Sequence, residues 1–446
     1  MSTDNVQQDL RTSADQRPVT VAINAQINPA NAGGVESALQ GLITYLADLS
    51  LEERYLLLST IRYAPDLERL ARRKLQVVPW PFPQKAYAPY RSMTRRWTRW
   101  HARAGMLGPG VDALHWGWWH ARRAVTRNPN ARQADGFLQA RSVSVVHFAY
   151  GIRFGTSLPF LYEPWDLQHR HHPEFFGPGE WQWRDQMYRE GCEQAALVVS
   201  ATTWTKRDIM QQYGIPGDKI AVIPRGPWIS PEMPGPRDVE RARKQYGLPA
   251  HFAFYPAMTF PHKNHLRLFE ALAILRDRHG VTLPLVCTGR QYEPHWPEVQ
   301  AGVARFGLQG QVFLLESVPA DTLAALFKAA SFLVFPSLFE GLGLPVIEAL
   351  EYGLPVVASQ STCLPEVAGN AALYFDGNNT ESIVETLLRA EREPRLLQET
   401  REAAPAALAR FSWPRAAATF VACYRAVAGA PLSEEQRSLY HQAIAS

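Results

Sequence analysis

Phe335-Pro336-Ser337-Leu338-Phe339-Glu340-Gly341-Leu342-Gly343-Leu344-Pro345-Val346-Ile347-Glu348 is the densest stretch of this 446-residue chain. The apolar run that ends at Phe335 reads as a strand, and a glycine-containing loop follows it. Pro345 fits the first turn of a helix, where its missing amide costs nothing. That reading puts Glu348 in the first helical turn and Glu340 in the loop, eight positions apart. The amides of Gly341, Leu342, Gly343 and Leu344 lie between the two carboxylates. Carboxylates accept hydrogen bonds from sugar hydroxyls, and amides at a helix start receive phosphate oxygens. The spacing suits a sugar-nucleotide site, but it equally suits a glutamate placed for the helix dipole alone.

Outward from this stretch, short β-branched and apolar runs alternate with helix-length amphipathic segments. They predict strands at 19–24, 143–148, 197–200, 220–223, 252–255, 283–287, 312–315, 332–335 and 355–358. Unbroken hydrophobic runs suit parallel strands covered on both faces. Their alternation with helices predicts a doubly wound α/β architecture. Between Pro224 and Pro236 there are five prolines in thirteen residues, which reads as a linker between two such units. The expected division is residues 18–228, 229–410 and a helical segment at 411–446 that can return to either unit.

In the first half, the strand at 19–24 leads through a loop to a helix with apolar residues at Val35, Leu39, Leu42, Ile43, Leu46 and Leu49. Gly33 and Gly34 stand at its start, where an anion is favoured. Two adjacent glycines also fit a plain strand-to-helix turn, and both readings stay open.

Composition narrows the class further. Hydrophobic residues make up 46% and charged residues 20%, which is globular. The first 17 residues have no signal-like apolar core, and no long apolar run suggests a membrane span, so a cytoplasmic protein is expected. Cys192, Cys287, Cys363 and Cys423 are too far apart for CxxC patterns. The histidines show no HExxH pairing, so no metal site is expected. The net charge of +4 hides a local excess: residues 91–127 carry eight arginines against one acid, Asp112. The remainder of the chain is net acidic.

The quoted run resembles the E-x7-E motif of retaining glycosyltransferase family 4. The likeness continues through Gly353-Leu354-Pro355-Val356-Val357-Ala358-Ser359 and Leu364-Pro365-Glu366-Val367-Ala368-Gly369. Upstream, Tyr255-Pro256-Ala257 and Pro261-His262-Lys263-Asn264-His265 resemble the family segment with a phosphate-binding lysine. The resemblance runs from about Val19 to Tyr424. It implies the GT-B fold, two Rossmann-like domains facing across a cleft, with the nucleotide held mainly by the C-terminal one. It also implies sugar transfer from a nucleotide-sugar donor with retention and without a metal or other cofactor. By this likeness Lys263 neutralises the donor diphosphate, Glu348 binds the ribose and Glu340 lies nearest the transferred sugar.

Two departures bear on the expected site. The family commonly has an arginine shortly before the lysine, but this chain reads Ala257-Met258-Thr259-Phe260. Arg225 is the candidate substitute, with a structural hinge role as its alternative. Many relatives also carry a histidine before an aspartate in the first half, where this chain has Trp165-Asp166. Asp166 is the carry-over expected on the acceptor side. His147, His169 and His171 are candidates to replace the histidine.

Overall resemblance to bacterial mannosyltransferases points to mannose as the sugar and to a glycan or lipid-linked glycan as acceptor. The alternatives are a sugar-nucleotide epimerase of the same fold and, from the Arg/Trp segment, a nucleic-acid-binding protein. No RNA-binding motif accompanies that segment, so no nucleic-acid partner is expected. As a helix, Arg91 to Ala104 sets Arg91, Arg95, Arg99 and Arg103 against Met93, Trp97, Trp100 and Ala104. Such a face fits peripheral attachment to an anionic membrane, and it also fits tryptophans packed on their own domain.

Overall fold

The computed structural model describes residues 18–26, 34–49, 53–60, 75–82, 129–177, 179–227 and 233–446. Gly33 and the whole basic segment from Arg91 to Ala104 lie outside the described residues.

Two parallel sheets organise the chain. The first contains β1 (Thr20–Asn24), β2 (Arg54–Ser59), β3 (Leu75–Pro79), β4 (Val145–Phe148), β5 (Phe160–Tyr162), β6 (Leu197–Ser200) and β7 (Ile220–Val222). Its spatial order is β3-β2-β1-β4-β5-β6-β7. The second contains β8 (Ala253–Pro256), β9 (Leu285–Thr288), β10 (Val312–Leu314), β11 (Phe332–Phe335), β12 (Val356–Ser359) and β13 (Ala372–Phe375). Its order is β10-β9-β8-β11-β12-β13. Both are doubly wound, and each reverses direction beside its first strand. In such sheets ligands bind past the carboxyl ends of the strands at that reversal, which here means past β1 and β4 and past β8 and β11. This is the two-domain GT-B architecture.

The buried runs explain the strands. All of β1, β4, β6, β11 and β12 is buried, as sheets covered by helices on both faces require. Four strands were not among the sequence expectations: β2, β3, β5 and β13. β5 is only three residues long, and β2, Arg-Tyr-Leu-Leu-Leu-Ser, has no alternation that would set it apart from a helix. Helix Gly34–Asp48 forms where the apolar stripe places it and buries Leu39, Leu42, Ile43 and Leu46. All four cysteines are buried and unbridged.

Helix Trp413–Val427 crosses back to the first sheet. Trp413, Phe420, Val421 and Tyr424 join the core formed by β1, β4 and helix Gly34–Asp48. Full burial of Phe420 and Val421 contributes on the order of 1.5–3 kcal/mol each. Trp413 is keyed into this packing: a Cβ built on Gly41 would come within 2.3 Å of its ring, so only glycine fits opposite. Its indole N–H donates to the Pro227 carbonyl at 3.1 Å, tying the second crossing of the chain to the first.

The two units also meet through Glu366. Its carboxylate accepts the amides of Thr203 at 2.8 Å and Trp204 at 2.7 Å, capping helix Thr203–Tyr213 of the first unit from the second. Arg410 holds the same carboxylate at 2.8 Å. Replacing Glu366 with Gln is expected to lower the stability of the folded chain by about 1 kcal/mol. A drop in the urea midpoint would register it; an unchanged midpoint would show the cap to be dispensable.

Candidate active site

The reversal of the second sheet assembles the residues that the sequence singled out. Lys263 ends a single 3-10 turn, Pro261–Lys263, in the loop after β8. The turn is pinned to the loop after β11: Leu338 N–H donates to the His262 carbonyl at 2.8 Å, and the Asn264 amide group donates to Pro336 O at 3.2 Å. Lys263 Nζ lies 2.5 Å from Glu340 Oε1, with both side chains mostly shielded from water. Glu340 is fixed through its backbone: Thr362 Oγ1 accepts its amide at 3.1 Å and donates to its carbonyl at 2.9 Å.

Helix Leu344–Glu351 starts after Gly343, which adopts the left-handed conformation at φ 74. Glu348 is therefore the fifth helical residue, at the start of the second turn, and not in the first turn as the spacing suggested. The dipole account loses force accordingly, because the effect fades beyond the first turn. Among the described residues nothing accepts from the amides of Gly341, Leu342, Gly343 and Leu344. Gly34 faces this helix start: a Cβ built on it would lie 3.1 Å from Leu344 Cδ1. The starts of helix Gly34–Asp48 and helix Leu344–Glu351 thus oppose each other across the cleft.

Burial pushes the Glu348 carboxyl up to about 7. A carboxyl raised above its unfolded value of 4.5 holds its proton more tightly when folded. Stability from this group is thus fully present below that unfolded value and is lost as pH rises toward 7. We expect Glu348→Gln to remove this decline. The free variant should exceed the parent in stability at pH 8 by about 1–2 kcal/mol, but not at pH 4. Thermal melting at the two pH values checks this, and a pH-independent difference would contradict it.

Asp166 comes to the same place from the first unit. Gly341 packs against it so closely that an added Cβ would sit 2.5 Å from the Trp165 carbonyl oxygen and 3.1 Å from Asp166 Cβ. The Gly341 carbonyl accepts from the hydroxyls of Thr202 at 3.1 Å and Thr205 at 3.2 Å. Trp165 itself is held at φ 69, unusual for a bulky residue, with its indole N–H on the Ala149 carbonyl at 2.8 Å. Burial holds the Asp166 carboxyl above its ordinary range; the Glu340 charge pushes the same way, while a backbone hydrogen bond and Arg184 oppose. Asp166, Glu340 and Lys263 therefore converge on one cleft.

Arg225 does not join them. Its guanidinium is buried and ion-paired with Glu163, and it stacks 4.8 Å from the Trp165 ring centroid. Glu163 also bonds His147 Nε2 at 2.8 Å, and His147 Nδ1 bonds Tyr424 at 2.8 Å. This buried chain of polar groups binds helix Trp413–Val427 to the first sheet. Arg225 and His147 are framework residues here, which corrects the reading of Arg225 as a donor contact. His169 is likewise internal, 3.0 Å from the Tyr213 hydroxyl, and burial holds its imidazole below the usual range. His171 alone of the three histidines reaches the second unit, its ring 5.0 Å from Phe339. It is anchored by Asp208 at 2.8 Å.

Among the described residues, no group of three His, Cys, Asp or Glu is placed to hold a metal ion. No helix among them is long and apolar enough to cross a membrane.

Known proteins resemble this chain in sequence and fold. The model for "Glycosyltransferase Family 4" matches residues 32–227, and that for "Glycosyl transferases group 1" matches residues 238–407. O-antigen chain mannosyltransferase B of Escherichia coli is 27% identical over 57% of this chain and 66% of its own length. The MMP alpha-(1->4)-mannosyltransferase of Mycolicibacterium hassiacum is 28% identical over 54% of this chain and 56% of its own. The chain thus spans about two thirds or less of these relatives. In fold, a glycosyltransferase from Rickettsia africae superposes with TM-score 0.64 at 16% identity, covering 92% of this chain and 99% of that one. HepE of Anabaena, solved with UDP and glucose, gives 0.63 at 15% identity over 92% and 100%. The two family matches lie on either side of the proline-rich crossing and between them take in every described strand but β1, so the chain carries a glycosyltransferase family 4 domain followed by a glycosyl transferases group 1 domain.

Proposed function

We propose that the protein transfers a sugar from a nucleoside diphosphate to a glycan or lipid-linked glycan acceptor, with retention at the anomeric carbon. The observation that carries this reading is the meeting of Lys263, Glu340 and Asp166 beside the helix start at Leu344, at the reversal point of the second sheet. Lys263 and the amides of Gly341 to Leu344 face the charge that develops as the diphosphate leaves. Such groups accelerate the reaction to the extent that they bind the transition state more tightly than the ground state. Glu340 orients the departing sugar, Glu348 the ribose, and Asp166 an acceptor hydroxyl. The acceptor attacks from the face that the diphosphate leaves and passes its proton to the leaving phosphate. Positive charge from the protein meets the leaving group, so the reading takes activity to survive EDTA.

Mannose is the proposed sugar because the relatives quoted above are named mannosyltransferases. The test is a panel of GDP-mannose, UDP-glucose and dTDP-rhamnose, each incubated with the full chain and followed for nucleoside diphosphate release. GDP-mannose turnover well above the others supports the reading, and release from none of them rejects it. At pH 8, where the Glu348 carboxyl is ionised, Glu348→Gln should weaken GDP binding by about 1–3 kcal/mol, since a charged acceptor to the ribose becomes neutral. Calorimetry on the same samples measures it, and equal affinities would move the ribose elsewhere.

A further inference from the structure

The cleft described so far offers a diphosphate one side-chain cation, Lys263, and Glu340 already pairs with it. Residues 257–260 supply no arginine, and Arg225 is bound to Glu163. In the first unit, Arg153 pairs with Glu190, and Arg170 and Arg189 with Asp185. Arg184, on helix Glu180–Gln194, differs from them. Among the described residues no carboxylate lies within ion-pairing distance of it; its Nε is buried without a hydrogen-bond partner, as are those of Arg153 and Arg225.

The guanidinium is nonetheless held firmly. It lies 5.0 Å from the Phe176 ring centroid and 5.7 Å from that of Tyr188, and it donates to the Tyr188 hydroxyl at 3.3 Å. Its ring platform borders the second unit: Phe176 follows Phe175, which stacks 5.1 Å from His172, and the His172 ring lies 5.9 Å from that of Phe339, the residue before Glu340. Its charge also reaches Asp166 in its own unit and His262, the residue before Lys263, in the other. Asp166 and Glu180 act on it only from beyond ion-pairing distance, and a half-buried guanidinium with an unpaired Nε keeps donor capacity for an anion. Its planar fork of donors matches phosphate oxygens.

We propose that Arg184 is the second cation of the cleft and receives a phosphate oxyanion of the bound substrates from the first unit's side, opposite Lys263. The proposal rests on the glycosyl-transfer reading for the source of that phosphate, which is either the donor diphosphate or a phosphorylated acceptor. Arg184 is a binding residue on either account.

Calorimetry on the full chain tests it with three probes: inorganic pyrophosphate, GDP, and glucose 6-phosphate added over saturating GDP. Arg184→Gln is expected to lose at least about tenfold in pyrophosphate affinity, and Arg184→Lys to recover much of it. A matching loss for GDP assigns the oxyanion to the donor. A loss confined to glucose 6-phosphate, with neutral glucose as control, assigns it to the acceptor. Parent-like affinity for all three probes in a folded Arg184→Gln protein overturns the proposal. Should that variant not fold, phenylglyoxal labelling of the parent decides. Pyrophosphate should slow adduct formation at Arg184, and a rate that it leaves unmoved overturns the proposal as well. A parent that binds pyrophosphate through Arg184 but no nucleotide would defeat the glycosyl-transfer reading and leave this one standing.

Discussion

Lys263→Ala is expected to lower turnover at least about a hundredfold, close to 3 kcal/mol of transition-state stabilisation. Two losses combine in this variant. The departing diphosphate loses its cation, and Glu340, which sat 2.5 Å from that cation, is left as an uncompensated carboxylate in a shielded loop. The second loss puts negative charge where negative charge must develop. Lys263→Arg should recover part of the activity, because the charge returns while the geometry of the pair changes. Steady-state kinetics on folded variants measures this, and an alanine variant within threefold of the parent would remove Lys263 from the mechanism.

Gly341→Ala carries the second largest expected effect. The new methyl would be placed 2.5 Å from the Trp165 carbonyl oxygen, an atom of the backbone that cannot swing aside. Either the strained turn at Trp165 shifts or the two units part, and both displace Asp166 relative to Glu340. A misplacement of about 1 Å between reacting groups costs on the order of a hundredfold in rate. We expect kcat/KM to fall by at least about tenfold, while nucleotide affinity changes less because Lys263, Glu348 and the amides at the start of helix Leu344–Glu351 stay together within the second unit. An alanine variant with parental kcat/KM would show that the units need not meet at Gly341 during the reaction.

Which parts of this were legible in the sequence follows from distance along the chain. Glu340, Gly341 and Glu348 belong to one strand-loop-helix unit, so spacing alone placed them near each other. Lys263 became readable through the likeness of its own loop to the family segment. The choice between a donor contact and a structural hinge for Arg225 was not legible, because its partner, Glu163, lies 62 positions away, just past the end of β5. No local pattern announces that pairing. Arg184 sits in a helix whose composition is unremarkable, and only its place in three dimensions, between the Phe176 and Tyr188 rings and near Asp166, sets it apart. The same holds for Glu366, whose cap on Thr203 and Trp204 spans the two units. The missed strands β2 and β5 had weak periodic signals, and their neighbours in the sheet, not their own residues, define them.

The return of helix Trp413–Val427 to the first sheet has a consequence for synthesis. Trp413 lies 186 positions beyond Pro227, its partner at the first crossing. A ribosome making this chain finishes every strand of the first sheet long before it delivers Phe420, Val421 and Tyr424. Until then the face that these side chains will cover stays open to water, and the hydroxyl that completes the His147 network is missing. The second unit, with its core contained between Ala253 and Phe411 apart from a few flanking residues, can close first. The order of folding is thus expected to run against the order of translation. A nascent chain stalled shortly after Pro227 should be readily cut by protease in its first sheet, and release of the last helix should protect it.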